Sequence, residues 1–446
     1  MHINQGLLDE MQLPADFAAQ LPGLMNLNEV PDWVQPIAMV YSGHQFGAYN
    51  PRLGDGRGLL LAQWAANGAE WDLHLKGAGM TPFSRMGDGR AVLRSSIREY
   101  LAGEALHHLG IPTTRALAVA LCPDRIYREQ VEPGATLLRV TPCHIRFGHF
   151  EYFAYTGQRA ELVALLDYVM QRYWPELAPN EKDLWFADVV RRNARLVAKW
   201  QASGFAHGVL NTDNMSIIGE TFDFGPYAFI NEYDPDFICN HSDDAGRYRF
   251  GRQPDIVYWN LMCLAQAVSS LIDVESLRAS LALFGDVFWR EYNNLMAQRL
   301  GFTVANEKVV AVTQRYLQLL AEQKTDYHLA FSRLINALSG DAGAWFALFC
   351  DASGAQAWFA DYTALLAESG VELSAADRNI RGCAPAFVLR NYIVQNVIAA
   401  CEAGDDALLH RVFDCLRNPF ADEAQFDGLA GEVPEWGRHI CISCSS

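Results

Sequence analysis

The spacing of apolar residues changes once along this chain, near residues 140–150, and that change limits the possible folds more than any single motif does. Before it, short strand-like runs alternate with glycine-rich turns: VQPIAMVYSG (34–43), GLLLAQWA (58–65), EWDLHLKG (70–77), TTRALAVAL (113–121) and GATLLRVTP (134–142). One helix interrupts them. Apolar residues recur near the 3.6-residue period at Val92, Leu93, Ile97, Leu101, Ala105 and Leu106, and Gly110 with Pro112 stops the pattern, which predicts a helix over 88–110. After the change the chain turns helical, most clearly at ELVALLDYVMQRYW (161–174), EKDLWFADVVRRNARLVAKWQASG (181–204), PDIVYWNLMCLAQAVSSLI (254–272) and AFVLRNYIVQNVIAACEAG (386–404). Strands first and helices afterwards predict an α+β, bilobal protein rather than an alternating βαβ sheet. The expected division is a strand-rich N-lobe over 1–145 and a mostly helical C-lobe over 146–446, with little chain ahead of the first lobe.

Half of the 446 residues are hydrophobic and 12% are aromatic, enough for a sizeable core. No apolar run reaches the roughly 18 residues a membrane helix needs. The N-terminus, MHINQGLLDEMQLPADF, lacks a basic region followed by an apolar one and carries acids, so neither a signal peptide nor a transit peptide is expected and a cytoplasmic location is. A net charge of −17 argues against a nucleic-acid partner while leaving room for a locally cationic nucleotide site. The ten cysteines are scattered, and only Cys441 and Cys444 are closely spaced, so a structural zinc site of two such pairs is not expected. Most read as buried thiols of a reducing compartment. A monomer is expected.

Lysine usage is more telling. The chain holds 35 Lys and Arg, of which only residues 76, 182, 199, 308 and 324 are lysine, so Lys76 stands alone in the first 181 positions. An ammonium is a compact point charge that a guanidinium does not replace. Lys76 ends the strand-like EWDLHLK some twenty residues after LGDGRG (53–58), a turn whose Gly54 and Gly56 flank Asp55 and whose Arg57 adds charge. Backbone exposed by glycine and a lysine at the end of the next strand suit the phosphates of a nucleotide. A helix glutamate would hold the lysine: Glu99 is the first choice and Glu104 the alternative. The same helix carries Arg90, Arg94 and Arg98 at i, i+4 and i+8, a stripe that is either solvated or phosphate-facing. Just before it, Gly87-Asp88-Gly89-Arg90 repeats the G-D-G-R of 54–57 and offers a second phosphate contact. Arg139 and Arg146 bracket the predicted junction of the lobes, where arginines suit anions.

The segment HGVLNTDNMSIIGETFDFG (207–225) fits the catalytic stretch of kinase-like phosphotransferases, H-G-D-L-x-x-x-N followed by D-F-G, except that Val209 stands where the catalytic Asp belongs. Asn214 and Asp223, linked by MSIIGETF, would be brought together by a short strand pair as hard oxygen ligands for Mg²⁺ on a nucleotide. Asp213 is the nearest carboxylate able to act as a base, although N-T-D-N also reads as a plain turn.

Together with YSGHQFG (41–47), HLKGAGMTPFSRMGDGRAVLRSSIRE (74–99), RFGHFEYF (146–153), FICNHSD (237–243) and the C-S-S ending, these motifs resemble the selenoprotein O family along essentially the whole chain. The resemblance implies a protein-kinase-like fold and an activity long hidden behind a pseudokinase label: adenylylation, in which AMP passes from ATP to Ser, Thr or Tyr hydroxyls of target proteins and pyrophosphate leaves. It implies ATP bound in a flipped orientation and contacted by Gly54, Gly56, Arg57, Lys76, Asp88, Gly89, Arg139 and Arg146. Asp213 would accept the proton. Asn214 and Asp223 would hold Mg²⁺, or Mn²⁺ in its place, with Asp223 also against the nucleotide. In many eukaryotic members the third residue from the end is selenocysteine; here it is Cys444, for which Cys239 is a candidate partner.

A flipped nucleotide accounts for Val209, since the α-phosphate then faces the metal pair and the base stands at Asp213. Three alternatives differ in chemistry. A phosphotransferase would use Asp213 in place of the lost Asp, a pseudokinase scaffold would bind nucleotide without catalysis, and a redox protein would use Cys441 and Cys444, although nothing else in the chain resembles a thiol-oxidoreductase site.

Overall fold

A computed structural model describes every residue except 15, 129, 439, 441 and 443–446. The chain begins with β1 (His2–Ile3), α1 (Gln5–Glu10) and α2 (Phe17–Met25), and then forms β2 (Gly43–Gln45), β3 (Ala48–Asn50), β4 (Gly58–Ala66), β5 (Ala69–Lys76), β6 (Ala91–Val92), α3 (Leu93–His108), β7 (Arg115–Tyr127) and β8 (Val131–Thr141). The helical part continues with α4 (Phe147–Tyr155), α5 (Arg159–Tyr173), α6 (Lys182–Ala202), the short pair β9 (Phe205–Ala206) and β10 (Ala228–Phe229), α7 (Gln253–Val268), α8 (Val274–Arg299) and α9 (Glu307–Gln323), with further helices as far as Leu416. The protein is a mixed α+β structure, as the change of spacing predicts.

Six strands form one sheet in the order β1-β7-β8-β5-β4, with β6 on β8, and every pairing is antiparallel. Strand β5 explains how the sheet serves a site. Its residues Asp72, His74 and Lys76 alternate with Leu73 and Leu75, and successive side chains of a strand point to opposite faces. Leu73 and Leu75 are fully buried, with Leu138 and Val140 of β8, against the side chains of α1 and α2. Each such leucine contributes on the order of 2 kcal/mol. On the other face Lys76, His74 and Asp72 pair in register with Leu137, Arg139 and Thr141, so one row of ionisable groups is presented to the interior, with Lys76 bonded to Glu99 of α3.

A large apolar core runs from α3 through α6, α7 and α8 to the helices Asn391–Glu402 and Ala407–Leu416, which return to pack on α3. Cap residues fix several helix starts: Asp273 accepts from the backbone N–H of Glu275 and Ser276 at the head of α8, and Asn306 does so for Val309 at the head of α9.

Some predicted elements change. Residues 34–42 form no strand beyond a single bridge of Ile37 to Leu60, since Pro36 has no N–H to give a ladder, and Gly43 begins β2. The helix expected from residue 88 begins at Leu93, because Ala91 and Val92 pair with β8 instead. The three arginines therefore do not form one helix face. Arg90 meets Asp124 at 3.1 Å, Arg94 binds Glu132, and Arg98 is buried, donating to the Tyr227 carbonyl at 2.8 Å. The helix expected from 386 starts at Asn391, after an extended stretch in which Phe387 N–H donates to the Pro419 carbonyl. Of the described cysteines, Cys122, Cys143 and Cys239 are buried, while Cys263, Cys383, Cys401 and Cys415 are only half-buried and Cys350 is exposed.

Candidate active site

Two adjoining cavities of about 390 and 460 Å³ share Gln45, Arg57, Lys76, Arg85, Arg128, Asp213 and Asp223. The first is also lined by Gly54, Asp55, Gly56, Asp88, Gly89, Arg139 and Arg146, and the second by Val209, Asn214, Phe224 and Gly225. All the site residues expected from the sequence thus line one composite cleft.

The Gly-rich turn is shaped by sterics. Gly54 has φ +102°, and a Cβ there would lie 2.5 Å from the Phe83 ring. Gly89, in the second G-D-G-R turn, has φ +68°, and a Cβ would lie 2.0 Å from the Gly79 carbonyl oxygen. Both positions require glycine. Asp55 is turned inward: its carboxylate accepts from Met39 N–H at 3.1 Å and Arg146 Nη2 at 3.1 Å, and faces His74 Nε2 at 3.3 Å. Burial opposes its ionisation, but His74 and Arg146 outweigh that and hold it well below the usual carboxylate range. Asp55 is a strut for the turn.

Lys76 is buried and bonds Glu99, which also accepts from Arg139 Nε at 2.7 Å. Glu104, the alternative partner, is taken by Arg115 at 2.7 and 2.9 Å. Asp223 Oδ1 lies 3.4 Å from Arg139 Nη2 and 3.8 Å from Lys76 Nζ. Two cations therefore stand between two carboxylates. Burial pushes the Asp223 carboxyl up, and Lys76, Arg139, Arg57 and Arg146 more than reverse this, keeping it ionised. Burial lowers Lys76, opposed chiefly by Glu99. Asp223 has φ +63°, a left-handed conformation that costs a non-glycine residue about 1 kcal/mol or more and turns its carboxylate toward the cations.

Arg146 lies between the rings of Tyr41 and Phe222, 4.1 and 4.7 Å from their centroids, and its Nη1 donates to the Asp213 carbonyl at 3.2 Å. Its buried Nε has no partner among the described residues. Asp88 is held by Arg128 through two bonds of 2.8 and 2.9 Å at the cavity rim.

The segment 207–214 is fixed from beneath by buried amides of α7. Gln253 accepts from His207 N–H at 2.8 Å, and Asn260 donates to the Leu210 carbonyl at 3.0 Å. His207 Nε2 lies 2.9 Å from the Phe222 carbonyl oxygen, tying this segment to the one that carries Asp223. Asn214 Nδ2 donates to the Val209 carbonyl at 3.0 Å, so its amide oxygen is the end left for other partners. The strand pair expected between Asn214 and Asp223 is reduced to one antiparallel bridge, Met215 to Thr221. Asp213 receives Gln45 Nε2 on Oδ2 at 3.0 Å, while its buried Oδ1 has no partner among the described residues. Burial pushes the Asp213 carboxyl up to about 7.

Two participants were not singled out as site residues from the sequence. Gln45 lies within YSGHQFG, but no spacing rule links it to a carboxylate 168 residues away. Arg128 is one of many arginines, and only the β7–β8 hairpin brings it to Asp88. The expected pairing of Cys239 with Cys444 falls on a residue outside those described. Nearby, the backbone of Asn240 bridges that of Ile442.

A family model described as "Protein adenylyltransferase SelO" matches residues 1–416. A protein from Aeromonas hydrophila named "Protein nucleotidyltransferase YdiU" is 49% identical over 451 residues, covering 100% of this chain and 94% of its own. Proteins of the same name from Pseudomonas putida (strain GB-1) and Stutzerimonas stutzeri are each 50% identical, covering 92% of this chain and 85% and 86% of their own. With a match across nearly the whole chain and relatives at half identity, this chain belongs to the SelO family of protein adenylyltransferases.

Proposed function

We propose that this enzyme transfers AMP from ATP to Ser, Thr or Tyr hydroxyls of target proteins and releases pyrophosphate. The observation that carries the reading is the contrast between two carboxyls in one cleft: Asp223 stands among cations, whereas among the described residues the Asp213 carboxylate keeps one buried oxygen unpartnered and has no cationic side chain bonded to it. The first environment suits a permanently charged ligand-holding group and the second suits a proton acceptor.

In this reading the chain has a protein-kinase-like, bilobal arrangement, with an N-lobe over 1–145 and a C-lobe over 146–446, and ATP lies flipped between them. Gly54, Gly56 and Gly89 let backbone approach the phosphates. Arg57, Lys76, Arg139 and Arg146 neutralise the β- and γ-phosphates and then the departing pyrophosphate. Asp88 lies against the nucleotide from the rim. The acceptor oxygen forms a bond to the α-phosphorus, the bond from that phosphorus to the bridging oxygen breaks, and the hydroxyl proton passes to Asp213. The amide oxygen of Asn214 and the carboxylate of Asp223 are hard donors that fit Mg²⁺ or Mn²⁺. When bound, that ion supplies a Lewis acid for the phosphate under attack. Val209 then has no proton to carry; its carbonyl orients Asn214.

The free thiols of Cys122, Cys143, Cys263, Cys350, Cys383, Cys401 and Cys415 support the reducing, cytoplasmic setting proposed for a monomer. Among the described residues no helix is long and apolar enough to cross a membrane. The test is peptide mass spectrometry after incubation with ATP, Mg²⁺ and a cell lysate. AMP adducts on Ser, Thr or Tyr that vanish with Asp223→Ala support the proposal, and their absence from the wild-type reaction contradicts it.

A further inference from the structure

Beside the cleft, on the far side of Thr212, lies a second cluster of ligand-type side chains that the proposed transfer does not use. His44 of β2, Glu151 of α4 and Cys263 of α7 each offer one donor atom, and the three atoms lie within 4.8 Å of one another. His44 Nδ1 is 2.7 Å from Glu151 Oε1. Glu151 is fully buried, His44 keeps 16% side-chain exposure, and Cys263 is half-buried. The rings of Tyr49 and Trp259 flank His44, with centroids 5.2 and 5.4 Å away, and enclose the cluster in aromatic surface.

We infer that His44, Glu151 and Cys263 form a binding site for a zinc ion that clamps β2, α4 and α7 together. Imidazole nitrogen, carboxylate oxygen and thiolate sulfur are the donor types zinc takes, and three protein ligands leave a fourth position for water. Donors about 2 Å from zinc stand roughly 3–4 Å apart. The 2.7 Å between His44 Nδ1 and Glu151 Oε1 and the 4.8 Å limit across the three donor atoms bracket that spacing. On binding, the thiol of Cys263 gives up its proton to solvent as the zinc–sulfur bond forms.

The outer contacts of the cluster are already made. Glu151 Oε2 accepts from Thr212 Oγ1 at 2.6 Å, and the same hydroxyl accepts from His44 N–H at 2.7 Å. Such partners fix the orientation of ligands. Thr212 precedes Asp213, and His44 precedes Gln45, which holds Asp213. The ion would therefore brace both neighbours of the proton-accepting carboxyl without touching it.

The test uses the full chain, treated with a chelator and free of nucleotide, titrated with Co²⁺ and separately with Zn²⁺. Wild type and the exposed-thiol control Cys350→Ser are expected to develop a thiolate-to-cobalt charge-transfer band that saturates at one equivalent. Cys263→Ser should lack the band, and His44→Gln should bind Zn²⁺ at least about tenfold more weakly. Zn²⁺ should raise the thermal midpoint of wild type but not of Cys263→Ser. No band in wild type, or a band retained in Cys263→Ser, overturns the assignment; should that variant fail to fold, unchanged zinc affinity in His44→Gln does so.

Discussion

Gln45 Nε2 donates to Asp213 Oδ2 at 3.0 Å, joining the strand β2 to the turn Thr212–Asn214 within the segment 207–225. It is the only side chain among those described that donates to this carboxylate, and the other carboxylate oxygen is left bare. Removing it should leave Asp213 unaimed. A charge-assisted hydrogen bond contributes roughly 1.5–3 kcal/mol, so Gln45→Ala should lower kcat by about tenfold or more with little change in the KM for ATP. Steady-state kinetics with an acceptor protein decide this: an unchanged kcat would remove Gln45 from the account.

The buried charge row predicts an asymmetry in stability. Glu99 is shared by Lys76 and Arg139, whereas among the described residues Lys76 has only Glu99 at bonding distance and Asp223 farther away. Glu99→Ala leaves two buried cations without their common partner and should cost about 3–5 kcal/mol. Lys76→Met leaves Glu99 still bound to Arg139 and should cost clearly less. Denaturant midpoints of the two variants, compared at equal slope, provide the measurement.

Arg128 and Asp88 make a rim contact that is partly exposed on both sides. Such pairs add about 0–1 kcal/mol to stability. Arg128→Ala should therefore leave the thermal midpoint nearly unchanged while raising the KM for ATP several-fold, because Asp88 and the Gly89 turn lose their anchor. A fall of many degrees in the midpoint with unaltered KM would mean that the pair is structural only.

Glu220 sets a pH dependence of stability. It is partly buried, its carboxylate accepts from the Thr141 hydroxyl, and burial pushes it up to about 7 from an ordinary value of 4.5. In the unfolded chain the group ionises near pH 4.5, so between there and pH 7 the unfolded state sheds a proton that the folded state keeps. Stability is full below pH 4.5 and falls as pH rises to 7, by up to about 3 kcal/mol from this group. Glu220→Gln should flatten the unfolding free energy across that window; an unchanged slope would contradict the shift.

Much of this was readable in the chain because local rules and tertiary packing agree there. Leu73 and Leu75 alternate with Asp72, His74 and Lys76, and the sheet keeps that alternation. Lys76 was conspicuous by its rarity, and its pairing with Glu99 follows from strand and helix lying face to face. Where the reading failed, a tertiary contact outweighed a local pattern. Val92 fits the helical period, but β8 offers it a strand partner, so α3 starts late and the arginine stripe breaks up. Gln45, Arg128 and the cluster of His44, Glu151 and Cys263 had no local signature, because each depends on residues brought together from distant parts of the chain.

The central claim is that the bond broken lies at the α-phosphate. It is tested most directly by incubating the enzyme, Mg²⁺ and acceptor proteins with ATP labelled on the α-phosphate and, in parallel, on the γ-phosphate. The account predicts protein-bound label from the α-position only, lost in Asp223→Ala and strongly reduced in Asp213→Asn. Label from the γ-position only would make the protein a phosphotransferase, and label from neither would make it a nucleotide-binding scaffold; either result contradicts the account.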